Sequence, residues 1–299
     1  MYTTLTDWTD AHLFDQSGKT VLITGGTSGI GYVTALALTR AGASVTLTGR
    51  DEAKVASAVE TIRKAAPDGQ VAGAVFDLAD LDRVADFARR YATETQTLDL
   101  LINNAGVMMC PPATTAQGYE SQFGVNALSH FALTGHLFDL LTATPGARVV
   151  TLSSIAHRGA EIDFDNLRLE KPYDPRREYY QSKLANLMFA LELGRRADAK
   201  GLDLLSVGCH PGFTMTELQR HVPPEMLASL TFMDTWQGAL PTLLAATADT
   251  EQGAYFGPDG PGEMGGWPAR GVIDDAAHKD DVAARLWETA EKATGLSYP

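Results

Sequence analysis

Short apolar runs alternate with stretches of helical period along this chain. Thr20–Thr24, Ser44–Thr48, Val71–Phe76, Leu98–Ile102, Ala147–Leu152 and Leu202–Val207 read as strands. Ile30–Arg40, Glu52–Lys64, Leu81–Thr93, Gln122–Leu141 and Arg177–Ala197 carry apolar residues at helical spacing between them. Strands that alternate with helices imply crossover connections and a parallel sheet. The strands are mostly apolar rather than strictly alternating, which suits a sheet covered on both faces. The expectation is an α/β fold: a single-domain doubly wound parallel sheet with helices on both faces. Residues 1–17 read as an N-terminal leader, and residues 213–236 and 257–275 as loops on the substrate side.

Composition changes this picture little. Of 299 residues, 44% are hydrophobic, enough for a large core. No solenoid repeat and no low-complexity tract is visible. The formal charge of −13 works against nucleic acid and anionic lipid as partners. The two cysteines, Cys110 and Cys209, form no disulfide framework and suit a reducing compartment. No cluster has metal-ligand spacing, so no metal is expected. The N-terminus lacks a signal-peptide pattern, and no run of about 18 apolar residues occurs. The expected location is cytoplasmic, with no membrane contact.

Chemistry first shows in Thr24-Gly25-Gly26-Thr27-Ser28-Gly29-Ile30-Gly31, directly after the first strand. Gly25 permits a tight turn, Gly29 admits a close approach by a pyrophosphate, and Gly31 lets helix and strand pack closely. The following helix points free N–H groups at phosphates. Gly25, Thr27, Ser28, Gly29, Ile30 and Gly31 are therefore candidate dinucleotide contacts. The spacing is GxxxGxG rather than the generic GxGxxG.

Tyr179 and Lys183 stand one helical turn apart on one face. A phenol with an ammonium nearby is a candidate acid/base, because the cation favours the phenolate. Tyr180 has Leu184 at the same offset and so no such partner. Ser153 and Ser154 follow the strand Ala147–Leu152, at the sheet end where ligands bind. Either hydroxyl could donate to a carbonyl oxygen, and spacing does not separate them. Asn126 falls inside a helical stretch, where Asn is a poor fit.

The glycine spacing, Asn103-Asn104-Ala105-Gly106, Tyr179-x-x-x-Lys183 and His210-Pro211-Gly212 together resemble the short-chain dehydrogenase/reductase family, in the family's order. Asn126-Ala-Leu-Ser-His-Phe and Ser182-Lys-Leu-Ala-Asn resemble its retinol-dehydrogenase-like branch. The resemblance covers most of the chain and implies a Rossmann-type oxidoreductase. It implies a catalytic tetrad of Asn126, Ser154, Tyr179 and Lys183. In it Lys183 also meets the nicotinamide ribose, and Asn126 holds a water that links Lys183 to solvent. Asp77 and Leu78 would meet the adenine, Asn104, Ala105 and Gly106 would lie near the cofactor, and Pro211, Gly212 and Thr216 would contact its nicotinamide and phosphate side.

The second strand ends Gly49-Arg50-Asp51. NAD sites place an acid at the strand end, to accept from the ribose 2′-hydroxyl. The family's position for that acid is Gly49, and Arg50 beside it suits a 2′-phosphate. NADP is the expected cofactor, although a shift of one residue would bring Asp51 into play. Met215, Leu218, Met226, Leu227, Leu230 and Phe232 suit a lid over an apolar substrate or ordinary helix packing. His157 and His210 could meet substrate but read more readily as structural, while Met108-Met109-Cys110 suits a pocket lining or a core-side loop equally. The expected activity is reduction of an apolar ketone or aldehyde. Physiological alcohol oxidation, and a regulatory protein that binds NADP without catalysis, are the alternatives. The complete tetrad argues against the last. The long polar connection from Ser154 to Tyr179 leaves oligomeric state open between monomer and dimer.

Overall fold

The computed structural model describes residues 4–228 and 230–299. The strands are β1 Thr20–Ile23, β2 Ser44–Gly49, β3 Gln70–Val75, β4 Leu100–Asn103, β5 Ala147–Leu152, β6 Leu204–Cys209, β7 Tyr255–Pro258 and β8 Pro268–Arg270. They form one sheet in the order β3-β2-β1-β4-β5-β6-β7-β8. Neighbours are parallel except β7 and β8, which are antiparallel.

Side chains of a strand alternate between faces, and both faces are packed here. Leu22, Leu101 and Val149 join one core with Phe87, Met188 and Trp287 from helices Leu81–Glu94, Pro175–Ala199 and Asp280–Thr294. Val21, Ile23, Leu100, Ile102 and Val150 join another with Leu38, Ile62 and Leu243 from helices Gly29–Arg40, Glu52–Ala65 and Thr235–Thr247. The sheet order reverses between β1 and β4. There the carboxyl ends of the strands open a crevice, the usual place for a ligand in such sheets.

Four expectations need correction. β4 and β6 start two residues later than the apolar runs suggest. Asp99 takes Lys19 Nζ at 2.8 Å and the Thr20 amide at 2.9 Å, and Asp203 takes the Gly146 amide at 2.8 Å, so side-chain bonds add to the backbone contacts at these strand starts. The stretch Gln122–Leu141 is not one helix. It runs as Ser121–Phe123, a π-turn at Gly124–Leu128, then Ser129–His136 and Phe138–Ala143. Gly124 and Gly135 weaken it, and Gly135 is packed so tightly that a Cβ would lie 2.5 Å from the Tyr298 ring.

The presumed leader holds a helix, Leu5–His12, started by a capping box between Thr4 and Asp7. Its Trp8 is buried in the second core; residues 1–3 lie outside the described residues. Residues 257–275 include the end of β7 and all of β8 rather than loop alone. Gly257 serves close packing, since a Cβ there would meet His210 Nε2 at 1.9 Å. Residues 213–236 do form a short 3-10 turn, Glu217–His221, and one helical turn, Pro224–Leu227; Ser229 lies outside the described residues.

Candidate active site

A cleft of about 950 Å³ lies across the carboxyl ends of the strands. Its floor begins at the glycine turn. Gly25 and Gly29 have φ of 68° and 57°, a left-handed region open to glycine at little strain. A Cβ on Gly31 would lie 2.3 Å from the Gly25 carbonyl oxygen and 2.4 Å from Asn104 Nδ2. The helix Gly29–Arg40 that follows has no side-chain cap at Ser28 and no acid in its first turn. Its amides therefore face the cleft without an internal anion, a fit for the diphosphate of a dinucleotide. Thr27, Ser28 and Ile30 line the same floor, together with Asp77, Leu78, Asn104, Ala105, Gly106, Pro211, Gly212 and Thr216.

At the end of β2, Gly49 has no room for a side chain. A Cβ would sit 2.7 Å from Thr27 Cγ2 and 3.0 Å from Val55 Cγ2. Asp51 is occupied as the N-cap of helix Glu52–Ala65, accepting from the Lys54 amide at 3.0 Å. Arg50 is exposed on the cleft wall and makes no ion pair among the described residues.

Ser154, Tyr179 and Lys183 converge at the inner end. Tyr179 is 6% exposed and Lys183 4%, both on helix Pro175–Ala199. Lys183 Nζ lies 5.8 Å from the Tyr179 ring centre and donates to the Leu152 carbonyl at 3.2 Å. Burial pushes the Tyr179 hydroxyl up to about 12, against a hydrogen bond from Ser154 that lowers it. Burial also brings Lys183 down to about 8. Desolvation thus dominates at both groups in the fold.

The two serines have different partners. Ser153 Oγ donates to the Lys183 carbonyl at 2.7 Å, a helix-to-strand tie. The Ser154 hydroxyl neighbours that of Tyr179. Tyr180 is not partnerless: its hydroxyl accepts from Arg176 Nε at 3.1 Å, one turn back rather than forward. Asn126 is fully buried and stands behind the cleft lining. Its Oδ1 accepts from the Val107 amide at 2.8 Å, and its Nδ2 donates to the Val107 carbonyl and to Ser182 Oγ, both at 2.9 Å. Ser182 in turn donates to the Tyr179 carbonyl at 2.7 Å. The Asn126 side chain therefore braces the wall and the tyrosine helix.

The outer end of the cleft is apolar. Met108, Met109, Leu218, Met226, Leu227, Leu230 and Phe232 line it, while Met215 and Cys110 lie outside the lining. His157 and His210 are fully buried. His157 Nδ1 donates to the Ser154 carbonyl at 2.6 Å, and its Nε2 accepts from the Asp274 amide at 3.2 Å. His210 donates to Glu263 Oε2 at 2.7 Å, and Arg158 pairs with the same oxygen at 2.7 Å. Arg158 and Glu263 escaped the sequence reading. Glu263 sits in a glycine-rich stretch far from any motif, and only the fold brings it to His210. Among the described residues no group of His, Cys, Asp or Glu forms a metal site, and no helix is long and apolar enough to cross a membrane.

A doubly wound sheet with a phosphate turn at its switch point and a buried Ser-Tyr-Lys group above it has the architecture of a dinucleotide-dependent oxidoreductase. Comparison with known proteins specifies the kind. Residues 19–226 match the family model for short chain dehydrogenase. Human retinol dehydrogenase 13 is 38% identical over 290 residues, covering 94% of this chain and 86% of that protein. A solved structure of an uncharacterized protein from Mycobacterium paratuberculosis is 38% identical, with a TM-score of 0.83 over 98% of this chain and 99% of the other. The Pseudomonas aeruginosa RhlG complex with NADP shares the fold at 24% identity, with a TM-score of 0.66 over 81% of this chain and 95% of that one. The chain belongs to the short-chain dehydrogenase family, in its retinol-dehydrogenase-like branch.

Proposed function

We propose that this protein reduces a mostly apolar ketone or aldehyde with NADPH, Tyr179 acting as the proton donor. The observation that carries the reading is the convergence of the Ser154 and Tyr179 hydroxyls, with Lys183 beside them, at the inner end of the cleft. When bound, the dinucleotide supplies hydride to the carbonyl carbon. Ser154 donates a hydrogen bond to the carbonyl oxygen and stabilises the charge that develops there. Tyr179 passes its proton to that oxygen, which completes the alcohol. Lys183, charged at neutrality, offsets the phenolate left behind. The preference for NADP favours the reductive direction, since cells commonly keep that pool reduced.

The preference for NADP rests on β2. A side chain at Gly49 would collide with Thr27 and Val55, and Asp51 is engaged as a helix cap. Neither position offers a carboxylate to a 2′-hydroxyl, whereas Arg50 offers a guanidinium to a 2′-phosphate. Gly25, Thr27, Ser28, Gly29, Ile30 and Gly31 hold the diphosphate in this reading. Asp77 and Leu78 flank the adenine, and Gly212 and Thr216 the nicotinamide side. The apolar outer wall fits an apolar substrate. Several relatives carry the name retinol dehydrogenase, which places retinaldehyde among the compounds to test.

The test follows NADPH consumption against aldehydes, aromatic ketones, steroids, quinones and retinaldehyde, with NADH in parallel. Turnover with NADPH that drops roughly 10²–10⁴-fold in Tyr179→Phe is expected. Full activity in that variant overturns the assignment of the proton donor. Equal efficiency with NADH overturns the cofactor preference.

A further inference from the structure

His130 lies behind the cleft on helix Ser129–His136 and is 1% exposed. Both ring nitrogens are engaged. Nδ1 is 2.8 Å from the Asn126 carbonyl oxygen, and Nε2 is 2.9 Å from Thr24 Oγ1. A carbonyl oxygen only accepts, so Nδ1 carries the hydrogen. Burial lowers the ring to about 4, so it is neutral near pH 7. A neutral ring protonated at Nδ1 accepts at Nε2, so the Thr24 hydroxyl is the donor there. The Ile102 carbonyl is a competing acceptor for that hydroxyl, but at 3.5 Å it is too far to win.

Thr24 Oγ1 also accepts from the amides of Asn104 and Ala105, each at 3.0 Å. One proton given and two lone pairs filled exhaust the hydroxyl. Thr24 opens the glycine turn, Asn104 and Ala105 form the wall beside it, and Asn126 braces Val107 and, through Ser182, the Tyr179 backbone. The imidazole is the one group that touches both the phosphate turn and the π-turn of Asn126 in this chain of bonds.

We propose that His130 is a positioning residue, whose fixed tautomer couples the dinucleotide turn to the Asn126 turn behind the reacting groups. By orienting the Thr24 hydroxyl it leaves both lone pairs to the Asn104 and Ala105 amides. By donating to Asn126 it holds the π-turn in register with the tyrosine helix. The coupling rests on the reading of the cleft as a dinucleotide site; the tautomer does not.

Two variants divide the bridge. In His130→Asn the amide nitrogen reaches the place of Nδ1, which keeps the bond to Asn126 and loses Thr24. In His130→Gln the amide oxygen reaches the place of Nε2, which keeps Thr24 and loses Asn126. NADPH binding, followed by fluorescence, should weaken about tenfold in His130→Asn, while kcat stays within about threefold of wild type; the opposite split is expected for His130→Gln. Equal losses in both variants, or a lower melting temperature with unchanged kcat and NADPH affinity, overturn the proposal in favour of simple core filling. Should either variant fail to fold, ¹⁵N spectra of the wild-type imidazole decide. They should show His130 protonated at Nδ1 from pH 8 down to pH 5, with the Nε2 signal moving when NADPH is added. Protonation at Nε2 overturns the tautomer, and an unmoved signal in protein that binds NADPH overturns the coupling alone. Wild-type protein that binds neither NADPH nor NADH overturns the dinucleotide reading, and the coupling falls with it.

Discussion

The phosphate-turn end of the cleft is shaped by backbone in close contact, while the Ser154 side is braced from behind by buried polar side chains. At Gly31 and Gly49 a Cβ would approach other atoms to 2.3 Å and 2.7 Å, so the wall is a matter of excluded volume. Behind Arg158, which lines the cleft, Glu263 stands at φ 57°, a conformation that L side chains seldom adopt. Three partners keep it there: His210, Arg158 and the Val272 amide at 2.8 Å. His157 ties the Ser154 carbonyl to the segment that follows β8. One end is set by sterics and is indifferent to pH. The other is set by charges and hydrogen bonds, and can be loosened one proton or one partner at a time.

The sharpest way to break the contrast is Gly31→Ala. The added methyl meets the Gly25 carbonyl and Asn104, so NADPH affinity should fall at least about a hundredfold. Unchanged affinity by titration would show that the turn has slack. Glu263→Ala comes next. It leaves Arg158 and His210 without their carboxylate and should cost about 3 kcal/mol of stability by denaturant titration. It should also raise KM for the carbonyl compound more than the Kd for NADPH. A larger effect on NADPH would mean that the two ends are not built independently.

Arg50→Ala should lower the preference for NADPH over NADH roughly ten- to hundredfold, through loss of a charge-assisted contact. No change in that ratio would remove Arg50 from the site. The smallest effect concerns pH. Lys183 is charged below about 8 and neutral above it, because burial disfavours the ammonium. The rate of carbonyl reduction should therefore fall as pH rises through about 8. A profile flat to pH 10 would mean that the charge on Lys183 persists. Glu263 titrates with the opposite consequence. Burial raises it, but His210, the Val272 amide and Arg158 together hold it below its ordinary 4.5. Its contribution to stability is present above 4.5 and is lost as pH falls through the lowered value.

The dinucleotide half was legible because its determinants are local. Glycine spacing, a strand before it and a helix after it all lie within one short stretch, and each residue's purpose follows from backbone sterics. Tyr179 and Lys183 were legible for the same reason, since one helical turn separates them. Spacing left Ser153 and Ser154 level and only the family resemblance pointed to Ser154; in the fold Ser153 is tied to the Lys183 carbonyl, a bond between two elements far apart in the chain. The strands β7 and β8 were missed because they are four and three residues long, bounded by glycine and proline that mimic a loop. The π-turn at Asn126 and the bridge through His130 left no trace in periodicity.

What the sequence alone determined, then, is the doubly wound sheet, the phosphate turn and the pairing of Tyr179 with Lys183 on one helix face, all of which follow from patterns that a few neighbouring residues impose on themselves. Only the tertiary structure decided the burial of Tyr179 and Lys183, the different partners of the two serines, and the assembly of Arg158, His210 and Glu263. Those depend on desolvation and on contacts between residues far apart in the chain, and neither quantity exists until the chain has closed around them.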